Sequence, residues 1–269
     1  MTEEIPRAAL ANAHPKEVRE LIRQGKWRQP TAGLCQGRVQ ANLVILPREL
    51  VYDFLVFAQR NPKPCPLLEV TDPGSPEPIL TAPGADLRRD LPKYRIYHHG
   101  QLEAEVTDLM AIWRNDLVSF LLGCSFTFEA AMLQSGIPIR HLEEGKNVPM
   151  YITTRPCLPA GIFHGPLVVS MRPILPALIP LAIQTTARFP AVHGGPVQIG
   201  DPTSLGIEDL ARPDFGDPVT IRPGEVPVFW ACGVTPQAVA MQAKPPLMIT
   251  HAPGHMFVTN LEDETLAVY

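Results

Sequence analysis

Three short segments carry the side chains whose types and spacing suit chemistry: Val226–Gln237 (VPVFWACGVTPQ), His193–Pro202 (HGGPVQIGDP) and Thr250–Met256 (THAPGHM). Each sets His, Cys, Asp or Thr among Gly and Pro at the edge of an apolar run, on backbone that plain helix or sheet cannot supply. In the first, a buried strand leads into the turn Cys232-Gly233-Val234, and Thr235-Pro236 opens a helix with Thr235 as its N-cap. The unpaired N–H groups of a helix start can hold a carboxylate or an oxyanion. A well-capped turn with Cys232 as an inert core residue is the bland alternative. His251 and His255 stand one helical turn apart, but Pro253-Gly254 between them breaks the helix that would aim both at one metal. Proton transfer is therefore expected of one of them, with no metal and no cofactor. His193 and Asp201 flank a Gly-Gly-Pro loop and are candidates for an oriented acid–base pair. That loop lacks the G-x-G-x-x-G spacing of a dinucleotide fingerprint.

A further turn, Gly123-Cys124-Ser125, lies between two helical patterns, with Glu129 one turn on. At a helix N-terminus Cys124 would have a lowered pKa and could act as a nucleophile. The competing reading buries Cys124 and leaves Ser125 as a simple cap. Among Arg140, His141, Arg155, Arg172 and Arg188, one or two could grip a substrate carboxylate, Arg172 being the best placed.

The elements that must position these residues can be read from periodicity. Ala41–Leu46 is a continuous apolar strand, and Pro47 opens a helix running to about Arg60. Leu67–Thr71 reads as a strand, and Arg95–His98 with Leu102–Val106 as a hairpin around Gly100. Asp108–Leu122 and Phe126–Gln134 read as helices. Strand-like pieces at Ile137–Leu142, Met150–Thr154 and Leu167–Met171 precede a helix ending near Arg188, and strands follow near Leu247–Thr250 and Met256–Asn260. The expected class is α/β, a mixed sheet with helices on both faces plus a smaller inserted α+β domain. Residues 1–132 and 222–269 form the discontinuous α/β part, and 133–221 the insertion.

Composition narrows the function. With 269 residues, 45% hydrophobic and 19% charged, the chain can build a sizeable core. A net charge of −4 without a Lys/Arg run argues against nucleic acid. Five cysteines, odd in number and without C-x-x-C, read as reduced thiols in a cytoplasmic protein. The N-terminus shows no apolar signal region. The apolar stretch Leu167–Ile183 is broken by Arg172, Pro173, Pro176 and Pro180, so no membrane span is expected. A symmetric homo-oligomer is the base-rate expectation.

Seven segments together resemble the D-glutamate cyclase family of hydro-lyases. They are LCQGRVQANLVILP, FLLGCSFTFEAAML, GIPIRHLEEGKNVPMY, GPLVVSMRP, RFPAVHGGPVQIGDP, GEVPVFWACGVTPQ and THAPGHMFVTN, running from about residue 30 to 260. The resemblance implies dehydrating cyclisation of D-glutamate to 5-oxo-D-proline, or a related reaction of a small carboxylate; non-catalytic binding of an acidic metabolite is the alternative. For such a substrate, the residues place the Cys232–Thr235 or Gly123–Ser125 turn at one carboxylate and an Arg, best Arg172, at the other. His251 or His255 would transfer the proton with Asp201 assisting, and Cys124 as a covalent nucleophile is a variant. Ser125, Gly233, Thr235, Gln198 and Glu129 complete the candidate substrate contacts. Gln198 stands where the family pattern more often has His, Arg38 where an aromatic is typical, and Thr154-Arg155 where Thr-Asn is. Cys232, His255, Asp201 and Arg172 are expected to converge on one cleft.

Overall fold

The run Arg38–Pro47 is buried on both sides because it becomes the strand on which the first sheet is built. The computed structural model describes residues 5–268. In chain order the first elements are α1 (Pro15–Arg23), β1 (Arg38–Pro47), α2 (Val51–Arg60), β2 (Leu67–Val70), β3 (Tyr94–His98) and β4 (Gln101–Val106). Next come β5 (Leu117–Gly123), α3 (Phe126–Gln134), α4 (Arg140–Glu143), β6 (Met150–Pro156), β7 (Pro166–Ile174) and α5 (Ile179–Ala187). The last are β8 (Gln198–Ile199), β9 (Val226–Ala231), α6 (Thr235–Ala243), β10 (Met248–His251) and β11 (Phe257–Glu262).

The first sheet has seven strands in the order β2-β5-β1-β10-β3-β4, with β11 also on β1. Its neighbouring strands run antiparallel. β1 and β2 point the same way with β5 inserted between them, so β1-α2-β2 is a βαβ unit split by a later strand. Alternation along β1 divides two cores. Ala41, Leu43 and Ile45 pack with Leu87, Leu91 and Tyr94 beneath irregular chain. Val44 and Leu46 pack with Phe54 and Phe57 of α2 and Val239 and Ala240 of α6. Each such Leu, Ile or Phe contributes about 1.5–3 kcal/mol on burial. Gln40 and Asn42 share the face of Val44, at the end of the strand where the two sheets meet.

The second sheet, β6-β7-β9-β8, is also antiparallel. On β7, Val169 and Met171 face a core with Tyr151 and Phe229. The opposite face, bearing Val168, Ser170 and Arg172, lies under α3 and α5, whose Phe128, Met132 and Ala182 pack with Val228 and Trp230. Arg172 is therefore a core residue of the second sheet.

The α/β class stands, with three local differences. The helix expected over Asp108–Leu122 is absent: residues 108–116 are turns and coil, and Leu117–Gly123 is a strand buried at every residue; in a continuous apolar run the two periodicities cannot be told apart. Ile137–Leu142 is loop and the short helix α4 instead of a strand. β9 pairs with β7 and β8, although 222–269 was expected to join the first unit. A strand covered on both sides carries no mark of the sheet it will enter. Pro180, awkward inside a helix, sits in the first turn of α5, where its missing N–H costs nothing. Among the described residues no helix is long and apolar enough to cross a membrane.

Candidate functional site

Two strand–turn–helix units meet where the sheets abut. β5 runs through Gly123-Cys124-Ser125 into α3, and β9 runs through Cys232-Gly233-Val234 into α6. Cys124 and Cys232 pack in one apolar cluster with Val168, Val234 and Met256. Both glycines are required by close approach: a Cβ on Gly123 would overlap the Ala191 carbonyl, and one on Gly233 would overlap the Asn42 side chain. Asn42 Nδ2 also donates to the Gly123 carbonyl at 2.6 Å. One buried amide on β1 thus bonds the first turn and packs against the second. Asn42 was overlooked in the sequence, although a lone Asn inside ANLVIL was the available signal, since a buried amide needs partners.

Under the first turn lies a buried polar cluster. Arg172 donates from Nε to Glu129 Oε1 at 2.9 Å, from Nη1 to Ser170 Oγ at 3.1 Å and from Nη2 to Ser125 Oγ at 3.0 Å. Nη2 also bonds Glu129 Oε1. The guanidinium lies within 5.5 Å of the Phe128 ring centroid and 5.4 Å of the Trp230 centroid, as a cation–π contact requires. His141 Nε2 is 3.3 Å from the same Glu129 oxygen, in a direction that makes no hydrogen bond. Burial pushes the Glu129 carboxyl up, but electrostatic attraction to His141 and Arg172 and the hydrogen bonds from Arg172 outweigh it and hold the group at about 2. Glu129 is therefore an anion at any physiological pH. Arg172 is largely engaged by it, which corrects the picture of an arginine free to grip a substrate by itself.

The capping expectations change too. Ser125 makes no cap to α3; its hydroxyl receives Arg172. Thr235 makes no cap either: its hydroxyl donates to the Cys232 carbonyl at 2.7 Å and accepts the Val168 N–H at 3.0 Å, pinning the turn to β7. Burial raises the thiols of both turns, Cys232 to about 11 and Cys124 further, so Cys124 is not the low-pKa nucleophile its place in the sequence suggested. Here desolvation beats the helix terminus.

The histidines separate into different roles. His193 is 1% exposed and holds a left-handed backbone, φ 85°. Its Nδ1 lies 2.6 Å from the Lys63 carbonyl, and Nε2 is buried without a partner. Burial first, and then the charges of Arg172 and Lys63, bring His193 down to about 4 against the pull of that carbonyl. The turn before it, Pro190–Val192, is what presses on Gly123, so His193 belongs to the same neighbourhood. His251 fills a gap in the first sheet: β10 and β11 pair with the same side of β1, and between them the Leu43 N–H is left open. His251 Nδ1 accepts that N–H at 3.1 Å. Burial lowers His251 to about 3, so it stays neutral. His255 lies in the loop bridging the two strands, its Nδ1 2.9 Å from the Pro253 carbonyl, and burial lowers it as well.

The expected cleft joining Cys232, His255, Asp201 and Arg172 does not form. Asp201 is exposed and caps the turn at Pro202–Leu205 by accepting Thr203 N–H at 2.9 Å, so it orients neither His193 nor His255. Gln198 pairs with Phe229 on β9, on the face of the second sheet opposite Arg172, and its side-chain Oε1 accepts from Arg155 at 3.3 Å. It takes no part in the buried cluster. Residues close in sequence were separated because a strand sends neighbours to opposite faces. The structure brings together Cys124, Ser125, Glu129, Arg172, Cys232, Gly233 and Thr235, with His193 alongside. It adds Asn42, His141 and Ser170. Among the described residues no three His, Cys, Asp or Glu side chains are grouped as metal ligands would be. A cavity of about 20 Å³ reaches Glu129 from outside, between residues 33–38 and the start of α3. That is room for one water.

A family model described as D-glutamate cyclase matches residues 118–260, a span that contains every residue of this cluster except Asn42. A protein of Thermoanaerobacter pseudethanolicus named putative hydro-lyase is 67% identical over 256 residues, covering 95% of this chain and 97% of its own. One of Geobacillus kaustophilus under the same description is 63% identical over 94% of this chain and 96% of its own. Another, of Bacillus subtilis, is 61% identical over 94% and 99%. These names support a lyase. Among solved structures, a nitrogen repressor-like protein of Methanococcus jannaschii overlaps 90% of this chain and 97% of its own at 10% identity and a TM-score of 0.37, too loose a likeness to bear on the fold or the site.

Proposed function

Because the chain belongs to the D-glutamate cyclase family, we propose that it is a hydro-lyase that closes D-glutamate to 5-oxo-D-proline with loss of water, at the buried cluster between the two turns. The observation that carries this reading is His193: an imidazole with Nδ1 against a backbone carbonyl and an unpartnered, buried Nε2, beside a fixed Arg172–Glu129–Ser125 network. Donation of Nδ1–H to Lys63 leaves the lone pair on Nε2, the tautomer needed to move a proton. Left-handed backbone at a non-glycine residue is strain of the kind found at working sites. A bound carboxylate beside His193 would raise its proton affinity toward neutrality.

In the reaction the substrate nitrogen attacks the γ-carboxyl carbon, the C–N bond forms, a C–O bond breaks and the oxygen leaves as water. The Ser125 hydroxyl, anchored by Arg172, is the donor suited to the oxyanion. Folding a flexible five-carbon chain for ring closure supplies much of the acceleration. The neutral thiols of Cys124 and Cys232 form the apolar wall and take no covalent part.

The test is His193→Asn, a residue that tolerates the left-handed backbone. Product is measured by chiral chromatography after incubation with D-glutamate or L-glutamate. The expected result is D-selective turnover in the parent and a loss of roughly a hundredfold or more in the variant, with an unchanged melting curve. Full turnover in His193→Asn would refute the assignment. Calorimetric binding of D-glutamate without product in the parent would favour a binding protein for acidic metabolites.

A further inference from the structure

Two buried acceptors that lack donors line the small cavity outside Glu129. Its walls include Gly33, Gly37, Arg38, Gln40, Glu129 and Asp263. Gln40 is 2% exposed; its Nε2 is spent on the Thr31 and Leu34 carbonyls at 3.0 and 3.2 Å, and its Oε1 is buried with no partner. Asp263 is 7% exposed, its backbone N–H is held by the Gly37 carbonyl, and its Oδ1 is likewise buried and unpartnered. The contacts of Glu129 with Arg172 and His141 all fall on Oε1; Oε2 makes none of them. Arg38 is the one cation in the wall, and its Nη1 is directed to the Asn260 carbonyl at 2.9 Å and to Glu262 at 3.3 Å. Buried oxygens without donors are costly. A cavity lined by two such side chains, Gln40 and Asp263, and sized for one small group, calls for a compact donor with several N–H bonds.

We infer that this cavity is an ammonium subsite, in which Gln40 and Asp263 hold the amino group of the substrate and Asp263 takes a proton from it. This deepens the reading above and rests on it for the identity of the substrate, while the ammonium specificity stands on the cavity alone. Burial supports the proton step by lifting the Asp263 carboxyl to about 7, against the pull of Arg38 and with a push from Glu264. The substrate ammonium gives one proton to the Asp263 carboxylate, and the freed lone pair forms the C–N bond. The nitrogen sheds two protons in all, and the departing oxygen takes two to leave as water, so no outside reagent is needed. Glu129 joins the two subsites, with Oε1 on Arg172 and the same side chain lining the ammonium cavity.

The experiment has two arms on the intact protein. In the first, thermal shift is titrated with ammonium chloride against sodium chloride and tetramethylammonium chloride at equal ionic strength. The expected result is a saturable shift with ammonium alone, absent in Asp263→Asn. No difference between ammonium and sodium in the parent would overturn the inference and leave the cavity to water. In the second arm, calorimetry compares D-glutamate with glutarate, the same diacid without the amine. The parent should prefer D-glutamate, and Asp263→Asn should lose about tenfold or more of that preference while binding glutarate as before. The preference should also fade below about pH 7, where Asp263 becomes neutral. Equal loss of both ligands in Asp263→Asn would overturn the inference. If the parent binds ammonium but neither diacid, the cyclase reading fails and the ammonium subsite survives.

Discussion

A double-mutant cycle on Glu129 and Arg172 tests whether the buried cluster is one electrostatic unit. The two side chains are 3% and 1% exposed and share two hydrogen bonds on a single carboxylate oxygen. Arg172→Met leaves the carboxylate facing His141 alone, and Glu129→Gln leaves a guanidinium with hydroxyls for company. Removing one partner of a buried pair costs about 3–5 kcal/mol, because the survivor stays desolvated and uncompensated. The double variant buries no such charge, and its Met lies against Phe128 and Trp230, rings that welcome sulfur. It should therefore be far less damaged than the sum of the singles, giving a coupling of about 2–4 kcal/mol. Urea unfolding followed by tryptophan fluorescence reads this directly. The same carboxyl is lowered from 4.5 to about 2, so its contribution is complete above 4.5 and disappears as pH falls through about 2. That interval is worth about 3 kcal/mol, and Glu129→Gln should lack this acid limb. Additive single costs, within about 0.5 kcal/mol, would refute the picture of a coupled unit.

Other outcomes follow from the same geometry. Gly123→Ala forces a Cβ onto the Ala191 carbonyl and should destabilise by about 1–3 kcal/mol while lowering turnover, because the His193 turn must shift; unchanged melting and turnover would count against that packing. His251→Leu strips the Leu43 N–H of its acceptor and should cost about 1–3 kcal/mol by urea unfolding, a loss that a surface histidine such as His164 should not show on the same change. All five thiols are buried, so a disulfide reagent at pH 8 should label the folded protein slowly and the urea-unfolded protein at once; a fast native thiol would contradict that burial. Asp263 is raised from 3.8 to about 7, so its stabilising contribution is full below 3.8 and is lost as pH rises through about 7. Asp263→Asn should accordingly be more stable than the parent at pH 8, by as much as about 4 kcal/mol, and no more stable at pH 4.

What could be read from the chain alone was local. Periodicity placed β1, α2, the β3–β4 hairpin and the strand–turn–helix at β9 and α6, since alternation and turn residues are short-range signals. The Gly123–Ser125 and Cys232–Thr235 turns, Glu129 and Arg172 stood out by residue type, and the family was recognisable from long motifs. The direction in which each side chain points was decided only by tertiary packing. Gln198 and Asp201 share the motif of His193, yet Gln198 turns to the opposite face of the second sheet from Arg172 and Asp201 to the exterior. His251, marked by its loop, is spent on mending a break in a sheet. Cys124 sits at a helix start, but surroundings drawn from β7 and α6 bury it and reverse the expected effect on its thiol. Asn42 and Asp263 acquire their roles from partners far along the chain, at Gly123 and Gly37. Burial and charge are sums over neighbours in space, and a linear sequence names the members of such a sum without saying which of them will meet.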